Sequence, residues 1–168
     1  MAAGATPYTN QVPAQVACKD MPLEGEYEPS PWAWVRDQVA EYEASNGQRA
    51  NTLLDTNLPV VIVTMRGRKS GKIRKVPLMR VEHEGKYALV ASIGGAPANP
   101  SWYGNLVAHQ TVMIQDGATP YEFVAREVDG DERELWWDRA VAAYPSYADY
   151  QENTSRLIPV FVATRSDS

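Results

Sequence analysis

Six basic side chains fall within ten consecutive positions of this 168-residue chain, with no acidic residue among them. The stretch reads RGRKSGKIRK, and its basic residues are Arg66, Arg68, Lys69, Lys72, Arg74 and Lys75. The rest of the chain has ten basic residues against twenty-one acidic ones, a formal charge of −11. Such a body repels a long polyanion, whereas the local cations attract a small ligand with concentrated negative charge. We therefore predict a binding turn for a phosphate or a carboxylate, with a solvated turn between strands as the alternative.

Several other kinds of site are disfavoured by the sequence. The basic turn is not a Walker phosphate loop, because Gly67 and Gly71 enclose only three residues and no hydroxyl residue follows Lys72. The overall charge of −5 disfavours nucleic acid. The two histidines, His83 and His109, have no carboxylate at ligand spacing, so no metal site is expected. No GxSxG nucleophile elbow is present.

Three tyrosines lie close together in the stretch YPSYADY. A spacing of three puts Tyr147 and Tyr150 on one face of a short helix that begins near Ser146, with Tyr144 just before it. Phenol rings that share a wet apolar pocket pack by their rings and need partners for their hydroxyl groups. The cluster predicts either core packing or a substrate pocket in which a tyrosine orients an oxygen atom or gives up a proton.

The elements that must position these residues are short strands with inserted helices. Apolar, β-branched composition or alternation predicts six strands, at 59–64, 76–83, 87–92, 111–115, 121–127 and 158–163. The stretch HEGK (83–86) predicts a tight turn into the third strand, whose continuous apolarity indicates burial on both faces. Helical spacing or capping residues predict helices after Ser30–Pro31, after Asn99–Pro100, from Asp129 and from Ser146. Neighbouring strands without regular alternation of helices favour an α+β fold with a small, mostly antiparallel barrel over a doubly wound sheet.

The chain is expected to form one domain over 21–168. Residues 1–20 show no periodicity, and we interpret them as a disordered arm or an expression leader. Cys18 is the single cysteine, so no internal disulfide or thiolate metal cluster is expected. No apolar run reaches the roughly 20 residues of a spanning helix and no signal peptide is evident, which predicts a cytoplasmic protein.

Four separated motifs resemble one known family. GRKSGKIR, VPLM, ASIGGAPANPSWYGNL and YPSYADYQENTSRLIPV, in this order, are similar to the deazaflavin-dependent nitroreductase and quinone reductase family of actinobacteria, over roughly Met21 to Thr164. The resemblance implies a split β-barrel of the flavin-reductase type. It also implies binding of coenzyme F420, a deazaflavin with a phosphate and an oligoglutamate tail, which in its reduced form donates a hydride.

The resemblance also implies a role for individual residues. Arg68, Lys69, Ser70 and Arg74 would bind the phosphate and glutamate portion, and Pro77, Leu78 and Met79 would run along the deazaflavin ring. The other edge of the ring and the pocket wall would come from Ala91, Ser92, Gly94, Gly95, Asn99, Pro100 and Trp102. Tyr144, Tyr147, Tyr150 and Met79 would contact the substrate. Tyr147, and with less support Ser92, are the residues expected to orient or protonate it.

The sequence departs from the nitro-drug-activating member of the family at two positions, where Met79 replaces an aromatic residue and Ile93 a lysine. Flat electrophiles such as quinones, activated enones or nitroaromatics remain the expected acceptors, since a Met-lined pocket adapts to flat apolar molecules. The helix near Trp32 and Trp34 resembles an element that touches membrane in relatives, which implies weak peripheral contact. A carrier of coenzyme F420 without fast turnover and an FMN-binding protein are the alternatives. Both a monomer and a homodimer are compatible with the sequence.

Overall fold

The computed structural model describes residue 23, residues 25–53 and residues 56–166. These described residues form seven strands: β1 (Val60–Arg66), β2 (Ile73–Met79), β3 (Glu82–His83), β4 (Lys86–Val90), β5 (Thr111–Gln115), β6 (Pro120–Val128) and β7 (Val160–Arg165). The α-helices are α1 (Ala33–Ala44), α2 (Ser101–Ala108), α3 (Gly130–Ala143) and α4 (Ser146–Glu152), and a single 3₁₀ turn covers Ile93–Gly95. The predicted α+β class is confirmed.

The strands form one antiparallel sheet in the order β2-β1-β5-β6-β7-β4-β3. Its two outermost strands, β2 and β3, are consecutive in the chain and are separated only by Arg80 and Val81. The amide of Arg80 donates to the carbonyl of Pro59 beside β1 (3.0 Å), and the amide of Ala88 in β4 donates to the carbonyl of Val81 (2.9 Å). The chain therefore passes from the β1 side to the β4 side, and the sheet closes into a barrel.

The bend between β2 and β3 is fixed by a carboxylate on the β5–β6 loop. One oxygen of Asp116, Oδ2, accepts from Nε of Arg80 (2.7 Å) and from the hydroxyl of Tyr87 (2.7 Å). Burial and the hydrogen bond to Asp116 raise the pKa of Tyr87 far above its ordinary value, so the phenol stays a donor at neutral pH. The contact ties the bend, β4 and the β5–β6 loop together at one end of the barrel.

Side chains that alternate along the strands form two separate clusters. Val61, Val63 and Met65 of β1 belong to the cluster inside the barrel, together with Leu89 and Phe161. Val60 and Ile62 point to the outer face and belong to the second cluster. In β4, Ala88 and Val90 are in the outer cluster whereas Leu89 is in the inner one. This confirms the prediction, made from its continuous apolarity, that β4 is buried on both faces.

The helices cover the outer face and one end of the barrel. Val39 and Tyr42 of α1, Trp136 and Ala140 of α3 and Tyr147 of α4 pack into the outer cluster. By contrast, Leu106 of α2 belongs to the inner cluster, and the rings of Trp102 and Tyr103 lie 6.3 and 5.6 Å from the ring of Phe161. Helix α2 thus plugs the barrel while the other three helices pack against its outside.

The predicted strands are all found, with one difference in count. The expected strand at 76–83 is β2 and β3, interrupted at the bend, which makes seven strands instead of six. The expected tight turn in HEGK is confirmed: Glu84 and Gly85 both have positive φ angles (54° and 82°), as a two-residue type I′ hairpin requires.

The helix starts were predicted less well. Helix α1 begins at Ala33, and Ser30, expected to be its N-cap, instead accepts from the amide of Trp32 (3.1 Å). Asn99 does not cap α2, because its side chain accepts from Arg156 (2.6 Å) and Pro100 occupies the cap position. Ser146 is the first residue of α4 and not its cap. In each case a side chain with capping capacity has found another partner or lies at a different position of the turn.

Two predictions fall at the edges of what the structure describes. Residues 1–20, expected to be an arm or leader, lie outside the described residues, so this and the domain bounds 21–168 stay predictions. Within the described residues, no helix is long and apolar enough to cross a bilayer. The same part of the chain contains no group of three His, Cys, Asp or Glu residues placed to hold a metal ion.

Candidate functional site

The segments predicted to form the site, apart from residues 77–79 on β2, meet at one end of the barrel. Strand directions alternate from β1 through β5, β6 and β7 to β4, so β1, β6 and β4 all finish at the same end. The loop that follows β1 (67–72), the segment that follows β4 (91–100) and the segment that precedes β7 (153–159) therefore share that end. Helix α2, which follows the second of these segments, plugs it. The end with the Asp116 contact is the opposite one.

The ten basic positions do not form one uniform loop. Arg66 finishes β1, while Arg74 and Lys75 lie in β2, so only 67–72 is loop. The loop closes on itself through the amide of Gly67, which donates to the carbonyl of Lys72 (2.7 Å), and through Nη1 of Arg66, which donates to the carbonyl of Gly71 (2.8 Å). The predicted glycine-punctuated hairpin turn is thus present.

Three of the cations are paired with acidic residues from the N-terminal part of the chain. Lys75 binds Glu43 (2.6 Å) and lies over the ring of Tyr27 (5.0 Å). Looser pairs join Lys72 to Glu26 (3.9 Å) and Arg74 to Glu28 (3.7 Å). The two looser pairs are largely exposed and contribute little stability, but all three pairs offset positive charge locally.

Residues 26–28 reach β2 through backbone hydrogen bonds. The amide of Ile73 donates to the carbonyl of Glu26 (2.7 Å), the amide of Glu28 donates to the carbonyl of Ile73 (2.8 Å), and Tyr27 forms a parallel bridge with Ile73. Sequence reasoning missed this segment, because a bridge of one residue has no periodicity. It leaves Arg68 and Lys69 as the basic-loop cations to which no described residue offers a carboxylate.

Arg68 is held against α2. Its backbone amide donates to Oδ1 of Asn105 (2.8 Å), and a methyl group at Gly104 would lie 2.8 Å from its Nε. Asn105 also donates to the sulfur of Met65 (3.7 Å), which anchors the helix to β1. The missing side chain at Gly104 thus makes room for the guanidinium group. Neither Gly104 nor Asn105 was predicted, although both lie in the motif that also contains Trp102.

The other residues predicted for the phosphate region and the ring are placed as follows. The hydroxyl of Ser70 accepts from the amide of Lys72 (3.0 Å) and so shapes the turn. Along β2, the half-buried Leu78 packs against the inner cluster, while Met79 is buried in the outer cluster to which the tyrosines also belong. Met79 ends β2 opposite Val60, the first residue of β1, so the structure places it at the other end of the barrel from the basic loop. Pro77 lies opposite Ile62 of β1 and is half-buried.

The side chain of Arg156 holds the segment that follows β4. Arg156 donates to the carbonyls of Ala91 (Nη1, 3.3 Å), Ser92 (Nη2, 2.9 Å) and Ala96 (Nε, 2.9 Å), and to the side chain of Asn99 (Nη1, 2.6 Å). Ala91 and Ser92 are buried, and Gly94 and Gly95 lie in the 3₁₀ turn. Arg156 lies in the motif YPSYADYQENTSRLIPV, but the sequence predicts no role for it. Nothing in its sequence position indicates a partner about sixty residues earlier.

The three tyrosines form one cluster, as their spacing predicted. The ring centroids of Tyr144 and Tyr147 are 4.9 Å apart and nearly perpendicular, and Tyr150 lies 6.1 Å from Tyr147. The hydroxyl groups of Tyr144 and Tyr150 are hydrogen-bonded (2.9 Å), and both residues are half-buried. Tyr147 is only 4% exposed. Tyr144 and Tyr150 are therefore the hydrogen-bonded and more exposed pair of the cluster, whereas Tyr147 is its most buried member.

Burial controls the acidity of these phenols. Desolvation, together with its two tyrosine neighbours, raises the pKa of Tyr147 far above its usual value. The hydrogen bond to Tyr144, followed by burial, raises the pKa of Tyr150 to about 12. Both phenols are fully protonated at neutral pH and are weaker acids than free tyrosine. They can donate a hydrogen bond to an oxygen atom more readily than they can release a proton to it.

The predicted groups join into one continuous surface. Gly95 lies so close to α4 that a methyl group on it would be 2.7 Å from the carbonyl of Tyr150, which places the 91–99 segment against the tyrosine helix. Pro100 leads directly into α2, and α2 touches the basic loop at Arg68. No hydrogen bond among the described residues joins Ser92 to a tyrosine. The site thus runs from the basic loop, across α2 and the 91–99 segment, to the tyrosines.

Comparison with known proteins identifies relatives across most of the chain. The profile of the F420H(2)-dependent quinone reductase family matches residues 34–165. An F420H(2)-dependent quinone reductase of Mycobacterium tuberculosis is 33% identical over 134 residues, which cover 78% of this chain and 89% of the relative.

Two solved structures are also similar to this chain. One, an F420-H2 dependent reductase, is 58% identical with a TM-score of 0.61 and covers 63% of this chain and 94% of its own. The other, described as a domain-swapped dimer, is 51% identical with a TM-score of 0.63 and covers 80% of this chain and all of its own. These matches confirm the split-barrel fold expected from the sequence motifs.

The hydroxyl pair predicts a dependence of stability on pH. Because the folded pKa of Tyr150 is about 12 and that of a tyrosine in an unfolded chain is about 10, its contribution is complete below pH 10 and is lost as the pH rises toward 12. Tyr144→Phe should reduce this alkaline loss, measured by urea unfolding between pH 8 and 11.5. Tyr121→Phe, at an exposed tyrosine, is the control. An identical loss in wild type and Tyr144→Phe would contradict the assignment.

Proposed function

Because this chain belongs to the F420H(2)-dependent quinone reductase family, we propose that it transfers a hydride from reduced coenzyme F420 to a quinone. The observation that carries the proposal is the pair of unpartnered cations in the basic loop of an otherwise acidic protein. Arg68 and Lys69 have no carboxylate partner among the described residues, and both are exposed. The family resemblance stated from the sequence motifs is confirmed, and the protein is an oxidoreductase.

The residues present fit the cofactor. A phosphate followed by glutamate carboxylates needs cations that are accessible and free of competing acids, and the basic loop offers two. The amide of Arg68 is committed to Asn105, which orients the side chain beside Gly104. Arg74, by contrast, is half-buried and faces Glu28 at 3.7 Å. We therefore propose Arg68 and Lys69 as the main anion ligands, with Ser70 shaping the turn and Arg74 in a secondary role.

The reduced cofactor supplies the hydride when bound. The protein therefore has to bind the cofactor, orient the acceptor against it and exclude water. We propose that Pro77, Leu78 and Met79 on one side hold the ring together with the segment that follows β4. On that second side lie Ala91, Ser92, Gly94, Gly95, Asn99, Pro100 and Trp102. Trp102 is half-buried against Phe161 and provides a rigid wall. The buried apolar surroundings of Met79 keep water from this part of the site.

The tyrosine cluster supports a quinone as the acceptor. A quinone carbonyl accepts hydrogen bonds, and the phenols of Tyr147 and Tyr150 stay protonated because their environment raises the pKa of both groups. Met79 lies in the same cluster and can adapt to a flat ring. We propose that the tyrosines orient the acceptor, that Ser92 has at most a supporting role, and that activated enones and nitroaromatics are secondary acceptors.

The direct test of the function is oxidation of the reduced cofactor. Purified full-length protein is mixed with reduced coenzyme F420 and a soluble quinone such as menadione, and the return of the oxidised cofactor is followed by absorbance. Turnover supports the reductase. Tight binding without turnover would favour a carrier, and preference for FMN in a parallel titration would overturn the cofactor assignment. An enone and a nitroaromatic in the same assay rank the secondary acceptors.

Two features concern partners beyond the acceptor. Trp32 and Trp34 are 66% and 44% exposed at the start of α1, which supports weak contact with a membrane surface. The acidic residues Asp37, Glu41 and Glu43 outnumber Arg36 on the same helix, so we propose contact through the tryptophans alone. Co-sedimentation with neutral and anionic vesicles tests this. Equal recovery of Trp32→Ala and wild type would contradict it.

A second copy of this chain is the other proposed partner. The support is the 51% identical relative described as a domain-swapped dimer. We propose that this chain also forms a homodimer. Light scattering distinguishes the 18.6 kDa monomer from a species of twice that mass.

Removal of the two free cations should weaken cofactor binding steeply. Hydrogen bonds to charged groups contribute about 1.5–3 kcal/mol each, so Arg68→Ala with Lys69→Ala should lower the affinity for coenzyme F420 by about a hundredfold or more at low salt. The difference should shrink toward 1 M salt, where the screening length is about 3 Å. Fluorescence titration measures both.

The matched control has the same change in charge at the other end of the barrel. Arg49 follows α1 in the chain and pairs with Glu41 of that helix, and Lys86 is the first residue of β4. Arg49→Ala with Lys86→Ala should therefore leave the affinity for coenzyme F420 nearly unchanged. Similar losses in both double variants would show a general field effect and would remove the basic loop from the site.

Tyr147 is expected to matter for turnover more than for cofactor binding. Loss of one hydrogen bond to the acceptor costs about 0.5–1.5 kcal/mol, so Tyr147→Phe should lower kcat roughly three- to tenfold while the Kd for the cofactor stays within about twofold. Stopped-flow turnover and fluorescence titration measure the two. Because burial and its tyrosine neighbours raise the pKa of Tyr147, the pH profile of kcat should keep its shape. Loss of an acidic group from that profile would instead make Tyr147 the proton donor.

A further inference from the structure

Arg156 has a set of contacts that neither an ion pair nor a surface position explains. Its guanidinium group donates to three backbone carbonyls and one side-chain amide oxygen, and all four acceptors lie between residues 91 and 99. None of them carries a charge. Burial accordingly lowers the pKa of Arg156 from its ordinary value, although the group stays protonated at neutral pH. A guanidinium group placed in this way fixes backbone geometry, because its donors form a planar fork.

The backbone that it holds is strained. Ile93 has a φ angle of +42°, in the left-handed region that β-branched residues seldom adopt. Its side chain is 53% exposed, so packing of that side chain does not enforce the conformation. Such a conformation persists only where the surrounding structure over-determines it. The carbonyls of Ala91 and Ser92 precede Ile93 and that of Ala96 follows it, so Arg156 binds the backbone on both sides of the strained residue.

The same arginine is anchored to the tyrosine helix. Its carbonyl accepts from Nε2 of Gln151 in α4 (2.8 Å), and Oε1 of Gln151 accepts from the amide of Ile158 (3.0 Å). A further donor on α3, Arg133, binds the carbonyl of Ile158 (2.8 Å). Residues 153–158, which connect α4 to β7, are thereby fixed to both helices. Any force on the 91–99 segment is passed to the helix that carries Tyr147 and Tyr150.

We propose that Arg156 is a positioning residue that holds the 91–99 segment in its strained form and sets its distance from the tyrosine cluster. The inference rests on the proposed function, in which that segment lies against the cofactor and the tyrosines against the acceptor. A displacement of about 1 Å between reacting groups can cost up to about a hundredfold in rate. The proposed anion ligands Arg68 and Lys69 are not among the residues that Arg156 binds. Loss of Arg156 therefore affects alignment more than affinity.

The first experiment needs no cofactor. The amides of Gly95 and Ala96 are protected by the carbonyls of Ser92 (2.9 Å) and Ile93 (3.2 Å), so hydrogen exchange at these two amides reports on the segment. In ligand-free full-length protein, Arg156→Ala should speed their exchange at least tenfold, with little change in strands β1 and β5. Arg156→Lys, which keeps the charge but not the fork, should give an intermediate increase. Unchanged exchange in both variants would overturn the inference, whatever the protein binds.

The second experiment separates alignment from binding. Arg156→Ala should lower kcat with menadione by about ten- to a hundredfold while the Kd for coenzyme F420 changes less than about threefold. Arg126→Ala is the control, since Arg126 is an exposed arginine of β6 whose hydrogen bonds go to Glu132 and not to the 91–99 segment. A loss in Kd as large as the loss in kcat would contradict a positioning role. Failure of the wild-type protein to bind the cofactor would reject the proposed function instead, and the exchange result would still stand.

A compensating change tests the role of strain. Asparagine adopts the left-handed region more readily than isoleucine, and position 93 is exposed. Ile93→Asn in the Arg156→Ala background should therefore recover part of the protection at Gly95 and Ala96 and part of kcat. Ile93→Asn alone should change neither by more than about twofold. Absence of recovery would show that Arg156 does not act on the strained backbone.

Discussion

Continuity of the chain through Arg80 and Val81 is the constraint on which the rest of the structure depends. Because β2 and β3 are one segment with a bend, the strand that begins at the β1 edge finishes at the β4 edge, and the sheet has to close. Closure gives every strand an inner and an outer face, so β4 must be apolar at each of Ala88, Leu89 and Val90. It also brings the loops after β1, β4 and β6 to one end, where the site is assembled. The Asp116 contact that fixes the bend lies at the other end and leaves the site unobstructed.

The positive charge at the site depends on which cations of the basic stretch are paired with acidic residues. The basic stretch carries six cations, but short contacts from the N-terminal segment and from α1 offset those that lie on β2 or at the end of the loop. The two looser pairs add little to stability. Within the part of the chain that the structure describes, the three pairs leave Arg68 and Lys69, beside α2, as the loop cations without a carboxylate partner. A ligand with several negative charges along one tail is then directed to one place instead of sliding along the strand.

The fold was largely predictable because its signals are local. Alternation and apolar runs identified all the strands, and the pair Glu84–Gly85 identified a hairpin that requires two positive φ angles. Capping was predicted less well, because Ser30 and Asn99 have several possible partners and only the folded chain decides among them. The proposed site residues come from the resemblance of the motifs and stay predictions. The sequence did not indicate the residues that contact these positions. Glu26 and Glu28 each form one ion pair, with Lys72 and Arg74, and Arg156 binds a segment about sixty residues earlier in the sequence.

The two hydrophobic clusters of the barrel share no buried residue, and this separation has an evolutionary consequence. The inner cluster fills the barrel with side chains such as Val61, Leu89 and Phe161. The tyrosines proposed to contact the acceptor belong to the outer cluster instead. Substitutions on α4 can change which molecule is accommodated without altering the packing inside the barrel. A lineage can thus diversify its chemistry by drift in one short helix while a single stable scaffold is inherited unchanged.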